Sequence, residues 1–293
     1  MKRIALIGIG RWGKNLIREF SKFAIISKCV HQGNLENMKW LDANYPEISS
    51  TTNIADVLDD PKIDAIVIAT PINTHYEIIK NALESGKNVF VEKPMTQTTS
   101  EADNLIKIAK GKNLSLFVGY IFLHNEIFKQ IKKINEKECI MNINFNWQKF
   151  GTFDENIFEN LLSHDLSIIL ELFGTPKSFN LFNTCSFVSD VDSFHFELEY
   201  SGSKKFFISI DRVSNTKKKT ITFFTTKNLY IWDNDVLLKL DKKSKSFKII
   251  YQIKKSPLYC ECKNFISTMN NATTDSAILA KKITKIVSKI SKS

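Results

Sequence analysis

The sequence is short of the features that mark whole classes of protein. No apolar run reaches the roughly 18 residues of a spanning helix, so a membrane-embedded chain is not expected. Ten glycines and six prolines in 293 residues exclude collagen-like and low-complexity chains. The five cysteines, Cys29, Cys139, Cys185, Cys260 and Cys262, are odd in number and scattered, which fits a reduced cytoplasmic protein better than a disulfide framework. Cys260-Glu261-Cys262 lacks a second ligand pair, and the five histidines show no metal spacing, so no metal is expected. There is no Gly-x-Ser-x-Gly elbow for a hydrolase and no Gly-Lys-Ser/Thr for an ATP phosphate loop. An apolar strand at Arg3–Ile7 leaves no room for a signal peptide, again an expectation of a cytoplasmic chain.

What is present is ordinary globular material, 43% hydrophobic and 25% charged, long enough for two domains. The net charge of +10 is uneven: residues 201–293 hold 20 Lys and Arg against 6 Asp and Glu. The runs Lys217-Lys218-Lys219 and Lys242-Lys243 lack interleaved aromatics, so they read as solvated lysines, with neither nucleic acid nor membrane as partner.

The first 119 residues alternate apolar runs at 2–7, 25–30, 63–69, 88–91 and 115–118 with helix-period stretches near 11–22, 35–44, 74–85 and 98–110. That alternation predicts a doubly wound α/β Rossmann domain with a parallel sheet over residues 1–119, with Asn73 or Thr74 capping one helix and Gly86 and Gly111 ending two. Residues 120–293 predict an α+β domain for substrate binding and oligomerisation, with a mainly antiparallel open sheet. Its expected helices lie near 124–135, 156–173, 258–270 and 275–290. Its strands lie near 139–148, 194–200, 206–210, 220–224, 229–232 and 236–240, with a turn at Ser201-Gly202-Ser203.

Gly8-Ile9-Gly10-Arg11-Trp12-Gly13 follows a strand and opens a helix, the context of a dinucleotide fingerprint. Gly8 allows the tight turn, Gly10 lets a pyrophosphate approach the backbone, and Gly13 allows helix and strand to pack closely. At the next strand end His31-Gln32-Gly33-Asn34 offers neither the carboxylate that bonds a ribose hydroxyl nor an Arg for a 2′-phosphate. NAD or NADP therefore both fit, with a lean to NAD. Two further strand ends read Ala69-Thr70-Pro71-Ile72-Asn73-Thr74-His75 and Glu92-Lys93-Pro94, where a cis bond before Pro94 is an option. Lys93 there could hydrogen-bond a reacting hydroxyl or carbonyl, or simply pair with Glu92 at the surface. On the helix at 156–173, Asn160, His164, Ser167 and Glu171 share one face of an otherwise apolar element, which needs either polar partners or a cleft.

Together these motifs resemble the Gfo/Idh/MocA family of NAD(P)-dependent oxidoreductases. Val118-Gly119-Tyr120, Phe173-Gly174 and Pro257-Leu258 with Glu261 extend the resemblance along the chain. Phe122-Leu123-His124-Asn125 and His164-Asp165-Leu166-Ser167-Ile168 look most like the sugar-nucleotide branch, such as UDP-N-acetylglucosamine 3-dehydrogenases. The resemblance implies a sugar or sugar-nucleotide substrate, Lys93 as catalytic lysine, His164 as catalytic histidine, and a homodimer or homotetramer formed through the second sheet. Asn160 stands where the family commonly has Asp, and Ser163 where the branch often has Pro. Two other readings are an NADPH-dependent ketosugar reductase and a dinucleotide-binding sensor or scaffold without turnover.

Overall fold

The computed structural model describes residues 1–202 and 204–290. Ser203, the last residue of the expected turn, lies outside the described residues. The chain divides into two compact units. One comprises Met1–Ile121 and Pro257–Ser288, and the other is built mainly from Phe122–Ser256.

The first unit carries β1 (Arg3–Ile7), β2 (Ile25–Val30), β3 (Ser49–Thr51), β4 (Ala65–Ile68), β5 (Asn88–Glu92) and β6 (Leu116–Gly119). They form one parallel sheet in the order β3-β2-β1-β4-β5-β6. All four residues of β4 and all four of β6 are buried, as an unbroken apolar strand must be when both sheet faces are covered. The crossovers are α1 (Arg11–Phe20), α2 (Leu35–Asn44), α3 (Ala55–Leu58), α4 (Ile72–Glu84) and α5 (Thr99–Gly111). Thr98 and Glu101 close a reciprocal capping box on α5, a feature that stabilises a helix start by about 1 kcal/mol. α4 starts at Ile72, earlier than the expected caps Asn73 and Thr74. Pro71 precedes it with φ −61, a value its ring enforces, and the Thr74 hydroxyl donates back to the Pro71 carbonyl at 2.7 Å. Gly86 adopts the left-handed conformation beyond α4, whereas Gly111 stays helical and Asn113 takes that conformation beyond α5.

The second unit holds α6 (Glu126–Glu138), β7 (Ile140–Phe150), α7 (Ser163–Phe173), β8 (Ser178–Cys185), β9 (Ser193–Glu199), β10 (Lys205–Asp211), β11 (Val213–Thr225), β12 (Leu229–Asp233), β13 (Val236–Asp241) and β14 (Ser246–Gln252). The strands make one sheet, β14-β13-β12-β11-β7-β10-β9-β8, antiparallel except for the β7/β10 pair. Alternation places Phe194, Phe196, Leu198, Phe206, Ile208 and Ile210 on the covered face. There Phe158 meets Phe194 at 5.0 Å and Phe173 meets Phe206 at 4.6 Å between ring centres. Strands β3, β8 and β14 were not expected. β3 is three residues long, and β8 and β14 are edge strands whose mostly exposed residues give no clean alternation. The helix expected over 156–173 runs without a break from Ile157, with Phe158–Leu162 forming a π turn that leads into α7.

The last two helices, α8 (Pro257–Thr268) and α9 (Asp275–Ile290), differ from the expected division at residue 120. Residues 257–288 return to the first unit instead of extending the second. Aromatic packing is the physical reason. Phe265 of α8 lies 5.6 Å from both Phe90 and Phe117 and 6.0 Å from Phe20, in a fully buried cluster with Leu16 and Val67.

Candidate active site

The strand order of the first unit reverses between β1 and β4, the place where open α/β sheets leave a ligand crevice beyond the strand ends. Gly8 ends β1 with φ +102, and a Cβ on it would lie 2.5 Å from the Ala69 carbonyl oxygen. A Cβ on Gly13 would lie 1.9 Å from the Gly8 carbonyl oxygen, so both positions exclude any side chain. Gly10 has nothing within 4 Å of its missing Cβ, leaving bare backbone open beside the α1 N-terminus. A tight turn, an open glycine and free helix amides are what a dinucleotide pyrophosphate requires, so these residues fit the group. Ile9 is buried beneath the loop, while Arg11 and Trp12 are exposed.

At the end of β2, His31 Nδ1 accepts from the Gly33 amide at 2.9 Å, Gln32 is exposed, and Asn34 caps α2 by accepting from the Asn37 amide at 3.0 Å. The stretch is spent on turning the chain. It places neither a carboxylate nor a guanidinium of its own at the strand end.

His75 is buried. Its ring nitrogens lie 2.8 Å from the Pro94 and Thr70 carbonyl oxygens, which ties the loop after β4 to the one after β5. Burial lowers its pKa, against both backbone contacts. Asn73 is exposed in the first turn of α4. The Lys93-Pro94 bond is cis. Glu92, for which a surface pairing with Lys93 was one of two alternatives, is buried and accepts a hydrogen bond from Trp12 Nε1. A Cβ on Gly119 would lie 3.3 Å from Glu92 Oε1, so that glycine leaves room for the carboxylate. Burial pushes the Glu92 carboxyl up to about 7, against the Trp12 bond and the Lys93 charge. Glu261 of α8 is fully buried and is raised as well, first by burial and then by Glu92.

In the second unit, the polar face expected on the 156–173 helix separates into parts. Glu171 is exposed and pairs with Lys132 at 2.7 Å, a surface ion pair worth little. The Ser167 hydroxyl donates to the His164 carbonyl at 2.6 Å, so it serves the helix and not a ligand. Asn160 lies in the π turn. The His164 ring packs against Phe122 (5.1 Å, edge-on) and Trp147 (5.8 Å), which also meet each other at 6.0 Å, so the three rings form a triangle. Its chain neighbour Asp165 is fully buried and accepts from Lys219 Nζ at 2.7 Å. Burial raises the Asp165 carboxyl, opposed by Lys219. Lys219 is a correction to the solvated reading of 217–219. Lys217 and Lys218 are exposed, but Lys219 shares the buried face of β11 with Ile221 and Phe223. Its period-two spacing from those two residues was the signal that could have found it.

Residues 2–120 match the model of the oxidoreductase family GFO_IDH_MocA, NAD-binding Rossmann fold. Among its relatives, an uncharacterized oxidoreductase of Schizosaccharomyces pombe is 34% identical over 155 residues, covering 46% of this chain and 41% of the relative. The scyllo-inositol 2-dehydrogenase (NADP(+)) IolW of Bacillus subtilis is 29% identical over 174 residues, covering 54% of this chain and 48% of the relative. These matches span about half the length of the curated relatives. Among solved structures, UDP-N-acetylglucosamine 3-dehydrogenase GnnA from Acidithiobacillus ferrooxidans shares the fold, with TM-score 0.88 over 98% of this chain and 96% of that one at 19% identity.

Proposed function

We propose that the chain is an NAD(P)-dependent oxidoreductase that moves a hydride between the nicotinamide and a hydroxyl or ketone of a sugar or nucleotide-linked sugar. The observation that carries this reading is the open Gly10 backbone at the start of α1, beside a sheet that also presents Glu92-Lys93 at the end of β5. The name of GnnA supports the nucleotide-linked substrate, and that of IolW supports a polyol or sugar-like one.

Gly8, Gly10 and Gly13 would hold the pyrophosphate, with Ala69, Thr70 and Pro71 bordering the crevice. The bound nicotinamide supplies the hydride acceptor or donor. Lys93 orients and polarises the substrate oxygen through a hydrogen bond, and His164 takes the hydroxyl proton as the carbonyl forms or returns it in the reverse direction. Asn160 can hold a ring or a substrate by hydrogen bonds but takes no proton. The absence of a carboxylate at 31–34 leaves the ribose end weakly discriminated, with NAD slightly preferred. A homodimer or homotetramer would form through the open face of the second sheet. That face carries a concave patch of about 690 Å³ where Asn142, Asn144 and Asn146 lie between Phe207 and Phe224.

Assaying nicotinamide absorbance across sugars and sugar nucleotides tests the reading. The expected result is turnover with at least one such substrate. Cofactor binding without turnover of any of them favours the sensor reading, to which the Asn160 departure points.

A further inference from the structure

Lys219 is a cation where the covered face of a sheet ordinarily carries apolar side chains. Only 14% of its side chain is exposed, and its Nζ lies 3.4 Å from the centre of the Trp147 ring and 4.0 Å from that of Phe122. Trp147 is its direct cross-strand partner in the β11/β7 register. The same two rings form a triangular cluster with the His164 imidazole, and the ammonium's ion-pair partner, Asp165, follows His164 in the chain. Both rings packed against the histidine and its backbone neighbour therefore converge on one charge. A buried ion pair is a poor way to stabilise a core, since apolar residues of equal volume do as well or better. Two cation–π contacts and one charge-assisted bond instead fix directions, holding the indole and phenyl planes where a merely apolar side chain would let them slide.

We propose that Lys219 is a positioning residue for His164, setting the imidazole's orientation through Trp147, Phe122 and Asp165. The inference rests on the proposed reading only for what that orientation is used for.

Three variants test it: Lys219→Met, which keeps the stem and removes the charge; Lys219→Arg, which keeps the charge; and Asp165→Asn with Lys219→Met, which removes both charges. The geometric readout is the nuclear Overhauser contact between the His164 imidazole, identified by its loss in His164→Asn, and the Trp147 indole. The kinetic readout is the split between kcat and KM. Lys219→Met and the double variant should both lose the contact and drop in kcat by at least about tenfold, with KM within about twofold. The double variant should nevertheless regain the thermal midpoint lost in Lys219→Met, and Lys219→Arg should keep the contact and most of kcat. If the double variant keeps the wild-type contact and kcat, Lys219 is only the counter-ion of Asp165 and the proposal is overturned. If Lys219→Met does not fold, the double variant alone decides. If wild-type protein turns over no substrate, the oxidoreductase reading fails, while the ring contact still decides the role of Lys219.

Discussion

The two units build their proposed site residues from different materials. In the first, the cradle is backbone: an open glycine, two glycines that admit no Cβ, and carbonyls held by His75. In the second, the surroundings of His164 are side chains: two rings, a buried carboxylate and a lysine on four separate elements. A backbone site is written in a short contiguous stretch, because the turn, the open amides and the helix start must follow one another. A side-chain site is assembled by register and packing, so its parts are far apart in the chain.

The sharpest way to break this contrast is to put a side chain into the backbone half. Gly13→Val should prevent the first unit from folding, since even a Cβ there would lie 1.9 Å from the Gly8 carbonyl oxygen. Recovery of folded protein with a wild-type circular dichroism spectrum would contradict the tight turn. Next, Phe265→Ala should cost about 3–5 kcal/mol in denaturant unfolding, the scale for emptying a buried aromatic site. A change below about 1 kcal/mol would mean that α8 does not depend on this cluster.

That second prediction concerns the part of the fold that was least legible. The parallel sheet of residues 1–119 could be read from its apolar runs and the glycine fingerprint, because a strand buried on both faces has little choice of residues. The return of α8 to the first unit could not. An amphipathic helix shows that it has an apolar face but not which sheet it covers, and only the meeting of Phe265 with Phe20, Phe90 and Phe117 settles it. The same limit hid Lys219, whose partner Asp165 is 54 residues away, and the Trp12 bond to Glu92 across 80 residues. It also made Ser167 and Glu171 look like members of a site when one serves its own helix and the other a surface pair.

On the chemical side of the comparison, His164→Ala should lower turnover on the order of 100-fold, about 2.7 kcal/mol in barrier, with cofactor affinity unchanged. Wild-type turnover would make the histidine structural. The smallest effect is a pH slope from the first unit. Glu92 titrates near 7 in the fold and near 4.5 when exposed, so the native state binds the extra proton between those values. Stability should therefore fall as pH rises from about 5 to above 7, and Glu261, raised in the same sense, adds to the fall. Glu92→Gln should flatten that slope, and an unchanged slope in the variant would assign it elsewhere.

The first unit is expected to bind a dinucleotide on open backbone at Gly10. Titrating NADH and NADPH into the wild-type chain and into Gly10→Val, following energy transfer from tryptophan to the nicotinamide, is the direct test, because Trp12 lies two residues beyond Gly10 in the first turn of α1. Saturable transfer is expected in the wild type and none in Gly10→Val, with the two unfolding midpoints alike since nothing lies within 4 Å of the added Cβ. Equal affinity in the two proteins, or no saturable transfer in the wild type, would contradict it.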